Sequence, residues 1–253
     1  MLKPASETQY SAAEWQTRID LAACYRLADM HGFSDMIWNH ITARVPGTET
    51  FLINRFGLRY DEITASNLVT IDLDGNVIDP GSGAPTDFDI NVTGFVIHSA
   101  IHAARTDVQC VMHSHCSGGL AVSALRDGLI PMIQDAMSFH NRVAYHDYEG
   151  LSTNLEERER LAADLGDKNA MILRNHGLLT TGATVGEAYV TMVYLERACN
   201  VQMQVLASGQ PYQLPPEDVC EAAANQYDLF PMGKYEWPAL MRLAEKQSPG
   251  FDA

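Results

Sequence analysis

Val108-Gln-Cys-Val-Met-His113-Ser-His115-Cys116 decides how this chain is read. Residues 108–113 form a short β-branched and apolar run, which predicts a strand, and the small residues of 117–125 predict a helix behind it. Side chains alternate along a strand, so His113 and His115 fall on one face with their Cα atoms roughly 6–7 Å apart. Two imidazoles so placed chelate one ion at about 2.0–2.1 Å each. A lone His-x-His is more often a packing coincidence than a metal site, so the reading needs a third ligand. His176 is the candidate. It lies in Arg174-Asn175-His176-Gly177, where Gly177 permits a break after the buried strand 170–173, and 178–181 is expected to continue that strand. Two strand ends side by side would present three imidazoles to one ion and leave its opposite face open, as a catalytic metal requires and a structural zinc does not.

Outward from this centre, helices and strands alternate. Ser11 followed by Glu14 makes a capping box, and Trp15, Ile19, Ala22, Ala23 and Leu27 make an apolar stripe, so 11–30 reads as a helix ended by Gly32. Short strands follow at 40–45, 51–54, 68–73 and, after an Asp74-Gly75 turn, 76–78. A Gly/Pro loop spans 79–85. Helical spacing returns over 93–105, and over 154–165 with Glu156 and Glu157 in the first turn. Thr184 and Glu187 repeat the capping-box spacing at the start of a long helix to about Ser208. The tail is Pro-rich, with one short helix near 217–224. No repeat or long linker divides the chain. We read a single domain over 1–253, with a core of about 15–208 and a tail of 209–253, built as a three-layer α/β/α domain with a mixed central sheet.

Composition narrows the partners. The 253 residues carry 32 acidic and 17 basic side chains, a formal net charge of −15. Phosphate polyanions need clustered basic side chains, and none are present, so nucleic acid and anionic membrane are poor partners. No run of about 18 apolar residues could span a bilayer. Five widely spaced cysteines with no CxxC pair read as reduced thiols, and the first residues lack an apolar export signal. The expectation is a cytoplasmic protein.

Two rival constellations are weaker. His98 and His102 stand at i, i+4 on one helix face, but Ser99 occupies the place of the general-base Glu in H-E-x-x-H, so a helix face packing near the site is the better reading. Cys116 adjoins His115, yet adjacency in sequence does not create nucleophile–base geometry.

The order Cys110-Val-Met-His113-Ser-His115, then Arg174-Asn175-His176-Gly177-Leu-Leu, then the long helix, resembles the class II aldolase/adducin family. Asn39-His-Ile-Thr-Ala-Arg44, Phe51-Leu-Ile-Asn54 with Phe56-Gly57, and Gly94-Phe-Val-Ile-His98 extend the resemblance over roughly 15–208. It implies a class II aldolase-like α/β/α fold and commonly a four-fold homotetramer. It also implies one divalent metal per chain (Zn, Mn, Fe or Co) held by His113, His115 and His176 near a subunit interface.

The departures bear on substrate. The sugar-phosphate aldolases of the family place a catalytic Glu after two serines. Here the stretch reads Val92-Thr93-Gly94, so Gly94 replaces the carboxylate. A Thr-Gly pair of their phosphate cradle becomes Phe56-Gly57, and Asn39 and Gly57 remain. The resemblance therefore implies a small-molecule substrate without phosphate, an oxygenated or aromatic carboxylate. Asn39, Gly57 and Thr93 would contact it, and Arg55, Arg59 or Arg174 would offer a planar fork to its carboxylate. Any proton transfer would fall to Asp135, His140, Tyr145 or His146 in the segment 134–148. The expected activity is a metal-dependent carbon–carbon lyase, by retro-aldol cleavage or by decarboxylation, which needs no base to start. A non-haem iron oxygenase on the same three histidines and a non-enzymatic adducin-like scaffold are the alternatives. Restoring the carboxylate by Gly94→Glu is expected to crowd the space of the substrate.

Overall fold

The computed structural model describes residues 9–83, 90–151, 156–230 and 232–253, with the side chains of Val92 and Thr93 outside the description. The end of the loop at 84–85 and the start of the helix expected at 154 lie outside these residues. Eight strands form one sheet in the order β4-β3-β2-β1-β5-β8-β7-β6. They are β1 His40–Arg44, β2 Phe51–Ile53, β3 Val69–Ile71, β4 Val77–Asp79, β5 Cys110–Ser114, β6 Val143–His146, β7 Ala170–Leu173 and β8 Gly177–Gly182. Only β6 and β7 run parallel, so the sheet is mixed.

Alternation along each strand sorts side chains between two helical layers. Ile41, Ala43, Cys110, Met112, Ile172 and Leu178 face one core, shared with helix α1 (Ala12–Met30) and the long helix α6 (Val185–Ala207). Val111, Met171, Leu173 and Leu179 face the other, covered by α2 (Val92–Ala104) and α5 (Glu157–Leu165). Every residue of β5, β7 and β8 is buried, as expected of strands covered on both sides. The result is the three-layer α/β/α architecture.

Caps set the helix boundaries. Ser11 accepts from the Glu14 amide and Thr184 from the Glu187 amide. Neither box closes on its own cap residue: Glu187 Oε2 accepts at 2.8 Å from the amide of Ala183, one residue before the cap, and Glu14 is drawn to Arg18.

Two expectations are corrected. The segment 178–181 does not continue the strand before it: β7 and β8 pair antiparallel, with Leu173 opposite Gly177, so Arg174-Asn175-His176 is the turn of a hairpin. Asn175 takes the left-handed conformation there (φ 56°), which asparagine tolerates better than most side chains. The tail holds two helices, α7 (Glu217–Tyr227) and α8 (Trp237–Gln247), and packs on the core. Trp237 meets Tyr189, and Phe251 is buried with its carbonyl accepting from the Ala65 amide at 2.7 Å. Short α3 (Ser117–Ser123) and α4 (Gln134–Met137) complete the α-helices among the described residues, with two single 3-10 turns at Tyr60–Glu62 and Ala65–Asn67.

Candidate metal centre

Strand β5 delivers His113 to the α2 face of the sheet, His115 follows just past its end, and the β7–β8 turn brings His176 across to them. The ring centroids lie 4.7 Å apart for His113–His176, 4.8 Å for His113–His115 and 5.1 Å for His115–His176. One nitrogen from each ring lies within 4.8 Å of the others. Gly177 makes this closeness possible, since a Cβ there would sit 2.7 Å from the Ser114 carbonyl and 3.2 Å from the His115 ring.

Proton bookkeeping identifies what belongs between these rings. His113 Nδ1 lies 2.9 Å from the Leu178 carbonyl and His115 Nδ1 lies 2.9 Å from Asp35 Oδ2. Both partners accept, so both Nδ1 atoms carry a proton, and in the neutral form of an imidazole that leaves Nε2 with a lone pair. Those two Nε2 atoms face each other at 3.0 Å. Two facing lone pairs repel unless a proton or a metal ion lies between them, and two nitrogens about 2.1 Å from one ion stand roughly 3.0–3.4 Å apart. The residues present fit a divalent metal. Burial holds His113 neutral, well below the ordinary imidazole range, with His176 and the other nearby rings adding to it. Burial also brings His176 down to about 4, aided by His115 and His146.

A second tier surrounds the triad. His40 lies opposite His113 in the β1–β5 register, with ring centroids 5.1 Å apart. Its Nδ1 is 2.8 Å from His98 Nε2; His98 Nδ1 is 2.7 Å from Thr42 Oγ1, which is 2.8 Å from His102 Nε2. His98 and His102 are thus a helix face hydrogen-bonded into β1. Asp35 and His40 were not among the residues singled out from sequence. Asp35 carried no local signal. His40 did: His40, Thr42 and Arg44 alternate as polar residues in a strand that is otherwise core.

The remaining candidates fall in different places. His146 ends β6 on the metal side, with Nδ1 2.7 Å from Asp164 Oδ2 and Nε2 3.5 Å from Glu157. With Tyr148, Arg174 and His176 it lines a small cavity. Tyr145 faces the other way, its hydroxyl accepting from the Leu129 amide at 3.0 Å and its ring beneath the Arg174 guanidinium at 4.2 Å. Asp135, in α4, pairs with Arg197 at 3.0 Å. Arg197 lies on α6, so Asp135 is on the sheet face opposite the triad, while His140 shortly precedes β6, whose first residue pairs with the start of β7 at the sheet end away from the triad. A cavity of about 780 Å³ also lies at that end, beside Phe139, Arg142, Lys168 and Tyr227.

Asn39 is buried, donating to the Phe33 carbonyl at 2.7 Å, and its Oδ1 has no partner among the described residues. Arg55 is buried and donates to the Pro80 carbonyl, and Gly57 turns the chain after β2. Arg59 is exposed and tied to Asp61. Arg174 also donates to the Leu125 carbonyl and, with Arg126 and Tyr148, borders an open basin of about 520 Å³ beside the His176 turn. The Thr93 side chain lies outside the described residues. Burial pushes the Cys116 thiol up to about 12, which leaves no thiolate for nucleophilic attack.

Residues 19–203 match the family model of the class II aldolase and adducin N-terminal domain. The chain belongs to the class II aldolase/adducin family. It is 49% identical over 245 residues to a Caulobacter vibrioides protein named with the class 2 aldolases, covering 95% of this chain and 93% of that one. Against alpha-adducin of Rattus norvegicus it is 40% identical, covering 96% of this chain but 35% of the adducin. Among solved structures, an aldolase II superfamily protein from Pseudomonas syringae matches with a TM-score of 0.93 and 47% identity, covering 99% of this chain and all of that one. The L-fuculose 1-phosphate aldolase of Glaciozyma antarctica matches with a TM-score of 0.82 and 31% identity, covering 96% and 94%. Class II aldolases bind a divalent metal, and the family unites metal-dependent lyases with adducin-like relatives. No helix among the described residues is long and apolar enough to cross a membrane.

Proposed function

We propose that this protein is a divalent-metal-dependent carbon–carbon lyase acting on a non-phosphorylated, oxygenated carboxylate. The carrying observation is the pair of bare Nε2 atoms of His113 and His115, 3.0 Å apart, with both Nδ1 protons committed elsewhere. A bound divalent ion of zinc, manganese, iron or cobalt supplies Lewis acidity, withdrawing charge from a substrate oxygen as the carbon–carbon bond breaks. The chain's own residues do the rest. Asp35 and the Leu178 carbonyl lock two rings in the ligating tautomer. Arg174 stands beside the His176 turn, where it can pair with a substrate carboxylate, and His146 holds its ring against Asp164 within reach of the same cavity. Asp135 and His140 lie away from their own chain's triad, so any role for them requires the metal of a neighbouring subunit. We propose a homotetramer for that reason and place it in the cytoplasm; light scattering giving about 28 kDa would overturn the assembly.

The 40% identity to alpha-adducin favours a second reading, a non-enzymatic scaffold. Metal analysis of the purified protein, with carbon–carbon cleavage and oxygen uptake assayed on hydroxylated and aromatic carboxylates and on fuculose phosphate, separates the two. A lyase holds about one metal per chain, cleaves a carboxylate without consuming oxygen and leaves the sugar phosphate nearly untouched. Oxygen consumption would mark the iron oxygenase. Protein that takes up no metal and cleaves nothing would be a scaffold.

A further inference from the structure

We propose that His40 is a substrate-contacting residue of this site, its imidazole hydrogen-bonding a hydroxyl that the substrate carries beside its metal-chelating oxygens. The inference rests on the lyase reading and narrows its substrate class to hydroxylated carbonyl or carboxylate compounds.

Placement is the first argument. Residues directly opposite across an antiparallel pair point to the same face, so His40 shares the face of His113 and packs its ring on that ligand. It is nonetheless outside the group of three rings whose nitrogens converge on a common point. A fourth imidazole packed on a ligand ring without ligating keeps its other nitrogen for a different partner, and the Nε2–Cδ2 edge of His40 lies over position 94, where the family's carboxylate would stand.

Accommodation is the second. Gly94 is buried, and a Cβ there would lie 2.5 Å from His40 Cδ2, 2.7 Å from Cγ and 2.9 Å from Nε2. No side chain at position 94 coexists with this ring position, so the family's carboxylate and the His40 ring exclude each other. Glycine at 94 is thus the space His40 occupies, and the expectation that Gly94→Glu would crowd the substrate is revised: it would first displace His40.

The hydrogen-bond column is the third. His98 occupies Nδ1 of His40, with Thr42 and His102 continuing the column beyond it, and Nε2 of His40 has no hydrogen bond to any described residue. Thr42 has one hydroxyl proton, so it donates to one imidazole and accepts from the other, and the whole column points one way or the other. In one direction His40 Nε2 accepts, and in the other it donates. A hydroxyl both donates and accepts and satisfies either state, whereas a carboxylate or phosphate oxygen satisfies only one.

Two hydroxamates that chelate metal identically and differ by one hydroxyl, glycolohydroxamate and acetohydroxamate, test this by calorimetry on the zinc-loaded protein. Glycolohydroxamate is expected to bind about 5-fold to 10-fold tighter, the worth of one net hydrogen bond. In His40→Phe, which fills the ring space without nitrogen, the preference should fall within about twofold while zinc is retained. Thr42→Val, which breaks the column and leaves His40, should reduce it to an intermediate ratio. Equal binding of both hydroxamates to the natural protein, or a preference that survives His40→Phe, overturns the role of His40 and leaves the metal reading standing. Failure of both to bind zinc-loaded protein overturns the open-metal reading and this inference with it.

Discussion

Replacing Asp35 by alanine removes the group that holds the His115 tautomer, and the cost can be estimated from the contact. The Nδ1–Oδ2 distance is 2.9 Å, and the side chains are 25% and 37% exposed. Outer partners of metal-binding histidines contribute about 10-fold to 100-fold in metal affinity. Partial exposure screens the carboxylate, so the lower end applies: about tenfold, or roughly 1.4 kcal/mol. Asp35→Asn keeps an acceptor without its charge and should cost about threefold. Zinc affinity measured by competition with a calibrated chelator at pH 7.5 gives both numbers, with thermal unfolding of the metal-free proteins as the fold control. An Asp35→Ala protein binding zinc within twofold of the natural chain would refute the assignment of Nδ1 as donor, and with it the argument from facing lone pairs.

His176→Ala should lose its metal on dialysis, and elemental analysis showing full occupancy would remove the triad. Gly94→Ala forces the His40 ring away from a Cβ 2.5 Å distant and should destabilise the fold by about 1–3 kcal/mol in urea unfolding; an unchanged midpoint would contradict the packing. Burial holds His102 at about 3, below its ordinary 6.5, so the unfolded chain takes up the proton first. Its contribution is intact above about pH 6.5 and is lost as pH falls towards 3, at roughly 1.4 kcal/mol per pH unit. Between pH 7.5 and 5, His102→Gln should therefore lose about 2 kcal/mol less stability than the natural chain, and parallel losses would refute this. Glu196 accepts from the amides of Gly118 and Gly119 at 2.9 and 2.7 Å; Glu196→Ala should cost about 1.5–3 kcal/mol by the same unfolding measurement, and a loss under 0.5 kcal/mol would mean that α3 is held by packing alone.

Much of the fold is legible because the strongest periodic signals are local. The stripe of the first helix, the Thr184–Glu187 cap and the 108–113 run each lie within one element and become α1, α6 and β5. The cluster of three histidines is legible in part because His113 and His115 stand two positions apart at the end of one strand, while His176 needed the family pattern to join them. What escapes depends on pairing at a distance. The strand 178–181 reads as a continuation because nothing in Arg174-Asn175-His176 announces a reversal except Asn175, whose positive φ is visible only in the fold. The strand at 143–146 and the helix at 237–247 are stabilised by β7 and by α1 and have no counterpart in the sequence reading. Asp35 reaches a histidine 80 positions away, a relation no local pattern encodes.

The β5–β8 register carries a consequence for assembly order. The β7–β8 hairpin closes over a few residues, whereas β5 must find β8 across some sixty, with His113 set opposite Leu179. Local hairpins form readily and distant pairings later, because chain closure costs entropy before contacts repay it. Sliding β5 by a single residue would turn His113 to the α6 side and set Met112 or Ser114 in its place beside His176. An ion that binds all three rings therefore acts as a gauge of strand alignment: chains paired one position out of step cannot capture it, and capture withdraws the aligned chains from exchange with the misaligned ones.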